Sequence, residues 1–466
     1  MPPRPVRAIV PTVADGRTRI PSRSVTVAEV EEAAVQPPAM RLRSPSPGLL
    51  ALPWLEPLAG WDATEIAMRD IPVGPSRHLV RFVEADGTLW ALKELPQRIA
   101  EKEYAVLRDL ENRSLPAVRP AGLVAQPESG NAILITRYLD RSWQYRRLLM
   151  RIPPEQRAHR DRLLDAMASL LVDLHRNGVF WGDCSLANTL FSRDGQVLQA
   201  WLVDAETSEI HPTLSDGQRQ HDVDILVENV AGGLVDLAAR LGQPEDMFDA
   251  LVEEAASVAG RYQALWDVLH AEPVFPYADR LQIEGQIRRV HDLGFAVEEV
   301  NLQFTGAGHE QLQLKLVVAA RRFHATQLQE LTGLTVGEGQ ARILLADLRA
   351  YQGRLQQDAH ASISEPFAAR RWQDEVLAPL MDEAHRAVGG VGEPIQAYCD
   401  LLEVRWLLSE KAGADVGDAA ALAALANRSV PPDSAAGMMV ADASTGQLPA
   451  LTVSMLAELD DEPDDE

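Results

Sequence analysis

Cysteine is scarce: Cys184 and Cys399 are the only two in 466 residues, far apart and without metal-ligand spacing. That excludes a disulfide framework and a cysteine-rich zinc site, and it fits a reducing compartment. The chain also lacks the roughly eighteen uninterrupted apolar residues that a membrane-spanning helix requires. Its N-terminus, MPPRPVRA, has no apolar stretch of the kind a secretory signal carries. The expected setting is cytoplasmic, with no membrane span. Positive charge is short as well, with 44 Lys and Arg against 68 Asp and Glu, a formal net charge of −24. General binding to phosphate backbones needs clustered cations, so nucleic acid is disfavoured as a partner.

What is present is ample apolar material, 46% of the residues, in a chain longer than one usual domain. Residues 1–46 are rich in Pro, Arg, Ser and Val without periodicity and read as a disordered extension, within which Met40 offers an alternative start. Residues 433–466 close on ELDDEPDDE, seven acids and no base, and read as a disordered acidic tail. Between them the patterning divides the chain into 47–270 and a mostly helical unit at 277–432. The first has a strand-rich part at about 65–140 and a helical part at 141–270.

In HLVRFVEADGTLWALKEL (78–95), two apolar runs meet at Asp86-Gly87, a hairpin signal. AEKEYAVLRDLE (100–111) follows with Tyr104, Leu107 and Leu110 on one helical face, and NAILITRYLD (131–140) reads as a buried strand. In DRLLDAMASLLVDLHRN (161–177) the leucines fall on a helical stripe that Asn177-Gly178 terminates. Short strands are expected at 179–191 and 199–204, helices over 221–270, a hairpin turning at TGAG (305–308), and helices at 337–355, 365–388 and 393–413. Trp372 and Trp406 read as core residues.

The loop in GVFWGDCSLANTLF (178–191) holds an aspartate and an asparagine between apolar runs. Phosphoryl transfer from ATP needs few groups, tightly placed. A base orients the acceptor hydroxyl, hard oxygen ligands hold Mg²⁺, a lysine neutralises phosphate oxygens, and a carboxylate fixes that lysine. The chain offers Asp183 as base, Asn188 and Asp204 as metal ligands and Lys93 as phosphate contact. Glu103, whose helical position beside the leucines is favoured over that of Glu101, would be the fixing carboxylate. Asp222 or Asp224, at the start of the next helix, is a candidate brace for the loop, an ordinary helix-start acid being the alternative.

LHRNGVFWGDCSLANTLF (174–191) resembles the catalytic loop of protein-kinase-like phosphotransferases, with Leu174, His175, Gly178, Asp183, Asn188 and Leu190 in register. LVDAE (202–206), LWALKEL (89–95) and EYAVLRDL (103–110) resemble that superfamily's metal-aspartate, lysine and glutamate segments. Asp-Cys-Ser at 183–185 and the lack of Ala-Pro-Glu after Asp204 resemble the RIO and lipopolysaccharide (Kdo) kinase branch. The stretch from about Leu49 to Pro432 further resembles a bacterial family with a lipopolysaccharide-kinase-like half and a C-terminal domain of unknown function (DUF4032-type). VGPSRHLVRFV (73–83), SDGQRQHDVDILVENVAGGL (215–234), LTGLTVGEGQAR (331–342) and LLEVRWLLSEKAGADVG (401–417) carry that likeness.

The resemblance implies an α+β, bilobal kinase-like fold with a small β-rich lobe and a helical lobe, followed by a mostly helical domain with a β-hairpin. It implies ATP and Mg²⁺ as cofactors and a small-molecule, lipid or protein hydroxyl as acceptor. Three positions depart from the pattern. PVGPSRH (72–78) has one glycine where a glycine-rich loop is usual, so backbone at Gly74 and Ser76, with Arg77 or His78, would have to hold the phosphates. Trp181 stands where a supporting histidine is usual, and Glu206 where a glycine is usual. A nucleotide-binding regulatory scaffold with little transfer activity is the alternative reading. RNA work by analogy with RIO kinases is a third, against which the net charge weighs.

Overall fold

The computed structural model describes residues 39–43, 45–71, 77–126, 128–149, 152, 156–276, 280–305 and 311–438. Gly74 and Ser76, most of the 1–46 segment, most of the TGAG turn and the tail beyond 438 lie outside these residues.

The small lobe is built on β1 (Met40–Leu42), α1 (Pro47–Leu50), β2 (Met68–Arg69), β3 (Leu79–Ala85), β4 (Thr88–Pro96), α2 (Gln97–Asn112), β5 (Pro120–Gln126) and β6 (Asn131–Arg137). Its six strands form an antiparallel sheet in the order β1-β5-β6-β4-β3-β2. The β3–β4 hairpin turns at Asp86 and Gly87, with φ of 50° and 72°. Both angles are left-handed, as the favoured two-residue hairpin turn requires. The described residues begin inside the segment expected to be a disordered extension. Met40–Leu42 pair with Gly122–Val124, and Arg43 N–H donates to the Ala121 carbonyl at 2.8 Å. Three residues are too few to show a strand period, so this edge strand was invisible in the sequence.

The large lobe comprises β7 (Trp143–Gln144), α3 (Tyr145–Leu149), α4 (Arg157–Arg176), β8 (Val179–Phe180), β9 (Thr189–Asp194), β10 (Val197–Leu202), β11 (Glu209–Ile210), α5 (Asp216–Arg240) and α6 (Phe248–His270). The stripe of α4, Leu163, Leu164, Met167, Leu170, Leu171 and Leu174, is buried and anchors the lobe's core. Each such side chain contributes about 1.5–3 kcal/mol on leaving water. Gly178 ends the helix at φ 72°, where a β-carbon would lie 2.1 Å from the His211 carbonyl oxygen. Helix α5 starts in a capping box. Ser215 Oγ accepts from Gln218 N–H, and the Gln218 side chain accepts from Ser215 N–H.

The remainder contains β12 (Val274–Pro276), α7 (Arg280–Asp292), β13 (Val297–Thr305), β14 (Gln311–Val318), α8 (Phe323–Thr332), α9 (Glu338–Ala359), α10 (Glu365–Trp372), α11 (Ala378–Ala387), α12 (Pro394–Ala412) and α13 (Gly417–Ala426). Strand β12 pairs with β14, so this sheet takes its first strand from residues before 277. Val290 and Phe295 join the core of the large lobe, whereas α8–α13 enclose a core of their own around Trp372. Trp406, expected in the core, is 59% exposed. It lies two residues beyond buried Val404, hence on the opposite face of α12. At the other end, Ser434, Ala435 and Ala436 are buried within the segment read as a disordered tail, because Glu403 accepts the Ala435 N–H at 2.9 Å.

The β9–β10 turn plugs into this helical part. Asp194 accepts from Gly339 N–H at 2.8 Å and Gln340 N–H at 2.9 Å, capping α9 from outside. Arg193 forms a bidentate pair with Asp400, both nearly fully buried. The described residues fall in one compact unit.

Candidate active site

Between the lobes lies a cleft of about 620 Å³, within the usual range for small-molecule sites. Lys93, Glu103, Asp183, Asn188, Asp204 and Arg77 all line it. Its apolar walls come from both lobes, including Val80, Ala91, Leu134, Leu190 and Val203.

Lys93 points into the cleft from β4, in register with Val80 on one side and Leu134 on the other. The chain enters α2 at once through Pro96, which swings Glu103 beneath the lysine on the helix's buried face with Leu107 and Leu110. Glu101 points outward to Gln97. Lys93 Nζ donates to Glu103 Oε2 at 3.1 Å and to Asp204 Oδ2 at 2.7 Å. Burial disfavours charge on Lys93, but the Glu103 and Asp204 carboxylates outweigh it and hold its pKa above the ordinary value. Burial, reinforced by the Asp204 charge and opposed by Lys93, pushes the Glu103 carboxyl up to about 7.

Asp183 is exposed in the cleft, and Asn188 Nδ2 donates to its Oδ2 at 2.9 Å. That bond uses the amide nitrogen of Asn188 and leaves its oxygen for another partner. The loop is closed on itself by Asn188 N–H to Ser185 Oγ at 3.2 Å. The Asn188 carbonyl accepts from Val203 N–H at 3.1 Å, which ties the loop to the segment carrying Asp204.

Beneath the loop, Asp222 is fully buried. It accepts from Trp181 N–H at 2.7 Å, Gly182 N–H at 2.8 Å and His175 Nε2 at 3.0 Å. Of the two candidate braces it is therefore Asp222 that holds the loop, whereas Asp224 accepts from Gln220 on the surface. Burial lowers the pKa of His175 although Asp222 partly opposes it, so the ring is neutral at pH 7. A carboxylate accepts only, so the proton sits on Nε2 and the Tyr262 hydroxyl donates to Nδ1 at 2.8 Å. Trp181 is fully buried, filling the position where a histidine is usual.

Glu206 faces the cleft, 3.2 Å from His78 Nε2 and 3.9 Å from Lys93 Nζ. Lys102 fixes the Glu206 carbonyl at 2.9 Å. The sequence reading missed Lys102 and the apolar walls, because neither has a motif of its own. Among the described residues, no group of three or more His, Cys, Asp or Glu gathers as a metal cage. Magnesium is commonly held by one or two protein oxygens together with substrate phosphates, so the Asn188 and Asp204 donor set fits it.

The bilobal α+β fold with this lysine–carboxylate pairing in its cleft is similar to that of protein-kinase-like chains. Residues 87–240 match the lipopolysaccharide kinase (Kdo/WaaP) family, and residues 264–430 match a domain of unknown function, DUF4032. A solved structure similar to part of the chain is that of WaaP in complex with acyl carrier protein. It is 19% identical over 44% of this chain and 91% of that chain, with a TM-score of 0.29. No curated protein matches the chain in sequence. Among the described residues, no helix is long and apolar enough to cross a membrane.

Proposed function

We propose that the chain is an ATP- and Mg²⁺-dependent phosphotransferase that moves the γ-phosphate to an acceptor hydroxyl. The observation that carries this reading is Lys93 bonded to both Glu103 and Asp204 in a cleft that Asp183 and Asn188 also line. In this reading Asp183, held by the Asn188 amide, orients the acceptor hydroxyl and takes its proton. Asn188 and Asp204 hold the metal, Lys93 contacts the phosphates, and Glu103 keeps Lys93 aimed. Arg77 at the cleft wall adds a second cation, with backbone at Gly74 and Ser76 assigned to the phosphates as well.

Mg²⁺ would supply the charge that lets a polyanion share the cleft with Asp204 and Glu206, and ATP would supply the phosphoryl group. The same five groups suit a small-molecule, lipid or protein hydroxyl. We further propose that 47–270 is the phosphotransferase unit and that 277–432 provides acceptor specificity or binds a partner.

Incubation with γ-labelled ATP and cell extract should label an acceptor, and Asp183→Asn should abolish the label. Label that persists in Asp183→Asn, or none with either protein, counts against transfer. The second reading, a nucleotide-binding scaffold, draws support from three carboxylates around Lys93, which compete with a triphosphate for its charge. It expects binding of MgATP with turnover at background.

A further inference from the structure

A second cavity, of about 690 Å³, lies on the far side of the interlobe connector, between the large lobe and the C-terminal helices. Leu139 lines both cavities, but Lys93, Asp183, Asn188 and Asp204 do not reach this one. Its wall carries six arginines and six acids.

Most of the acids on this wall are already engaged. Glu111 pairs with Arg43 and Glu393 with Arg141, Asp194 caps α9, and Glu338 bonds His324 while capping α8. What remains is Arg119, Arg176, Arg321 and Arg322 facing Asp173 and Asp140. Arg176 and Arg321 are oriented by backbone carbonyls, at 2.6 Å from Val318 and 3.1 Å from Leu293, and have no carboxylate within ion-pair distance among the described residues. The side chains of Arg119 and Arg322 have no hydrogen bond or ion pair at all among the described residues, and both residues are exposed. Four guanidinium groups without an ion pair thus face Asp173 and Asp140, with the helix-capping carboxylates of Asp194 and Glu338 on the same wall.

Asp173 is the second observation. It is only 7% exposed, it lines the cavity, and its carboxylate has no hydrogen bond or ion pair among the described residues. Burial pushes it up to about 6, against the pull of Arg321 and Arg176. Its carboxyl opens onto the cavity, where a donor from a ligand can reach it. Leu115, Pro116, Val336, Val388 and Trp143 add an apolar wall.

We propose that this cavity binds a small phosphate- or carboxylate-bearing molecule, its anion on the arginines and a hydroxyl of its own on Asp173. Guanidinium forks match both anions bidentately, so the chemistry is shared and the probes separate the two sources. The full chain is titrated calorimetrically with inorganic phosphate, glycerol 3-phosphate and citrate. Saturable binding is expected to glycerol 3-phosphate or to citrate. The tighter of the two identifies the anion.

Arg119→Gln/Arg322→Gln should weaken binding at least tenfold while leaving the unliganded melting temperature in place, since both side chains are exposed. Lys93→Ala should leave it unchanged. Asp173→Asn should remove the advantage of glycerol 3-phosphate over inorganic phosphate. Absence of saturable binding for all three anions up to about 10 mM overturns the proposal, because a millimolar site corresponds to only about 4 kcal/mol. So does binding indifferent to the arginine pair, or binding lost in Lys93→Ala, which would place the anion in the other cleft.

Discussion

Asp222→Ala removes one side chain and strands three donors. The Trp181 and Gly182 N–H groups and His175 Nε2 all end on its two oxygens, at 2.7, 2.8 and 3.0 Å, in a fully buried position. Each stranded donor costs about 1–3 kcal/mol, so the three together cost on the order of 3–9 kcal/mol, which entry of water reduces. Net stabilities are roughly 5–15 kcal/mol, so the effect is large. Asp222→Asn keeps one acceptor oxygen but turns an amide NH₂ toward a donor, and should cost about 1–3 kcal/mol. Because Gly182 immediately precedes Asp183, any transfer activity should fall further than stability does. Urea unfolding followed by circular dichroism gives the comparison. A loss below about 0.5 kcal/mol for Asp222→Ala, the size of an ordinary surface change, would refute the bracing role.

Glu103 has a folded pKa raised from 4.5 to about 7, so the folded state holds its proton more tightly than the unfolded chain. Its contribution to stability is full below about pH 4.5 and is lost as pH rises through 7, on the order of 3 kcal/mol across that window. Glu103→Gln should flatten that slope in a series of melting curves, and an unchanged slope contradicts the burial argument. His175, with its pKa lowered by burial, acts in the opposite sense. Its contribution is present above the ordinary 6.5 and lost as pH falls, so His175→Asn should flatten the acid side. Gly178→Ala should destabilise by about 1–3 kcal/mol from the left-handed backbone alone, and more from the 2.1 Å approach to the His211 carbonyl; denaturant unfolding measures it. Arg193→Ala leaves Asp400 buried without its partner and should cost about 3–5 kcal/mol, whereas Arg193→Met/Asp400→Leu should recover much of it in the same assay.

The convergence of Lys93, Glu103, Asp183, Asn188 and Asp204 on one cleft was legible because these residues sit at fixed offsets on elements with strong local signals. The Asp86-Gly87 turn sets the register that aims Lys93 inward, and the leucine spacing of α2 selects Glu103 over Glu101. Asp222 and Asp224 share a helix start, and only the packing of His175 and Tyr262 separates them. Elements whose stability comes from distant partners were not legible. Met40–Leu42 is a strand only because β5 offers an open edge, and Ser434–Ala436 are buried only because Glu403 receives them. The second cavity joins Asp173 to Arg321 and Arg322, about 150 residues away in sequence, a juxtaposition with no local pattern to reveal it.

Titration of MgATP followed by melting temperature decides whether Lys93 and Asp204 share one nucleotide site. Saturating MgATP should stabilise the wild-type chain by about 2.7 kcal/mol at a hundredfold excess over Kd. The shift should require Mg²⁺ and vanish in both Lys93→Ala and Asp204→Ala. A chain that MgATP does not stabilise, or a shift that survives both substitutions, would contradict the account.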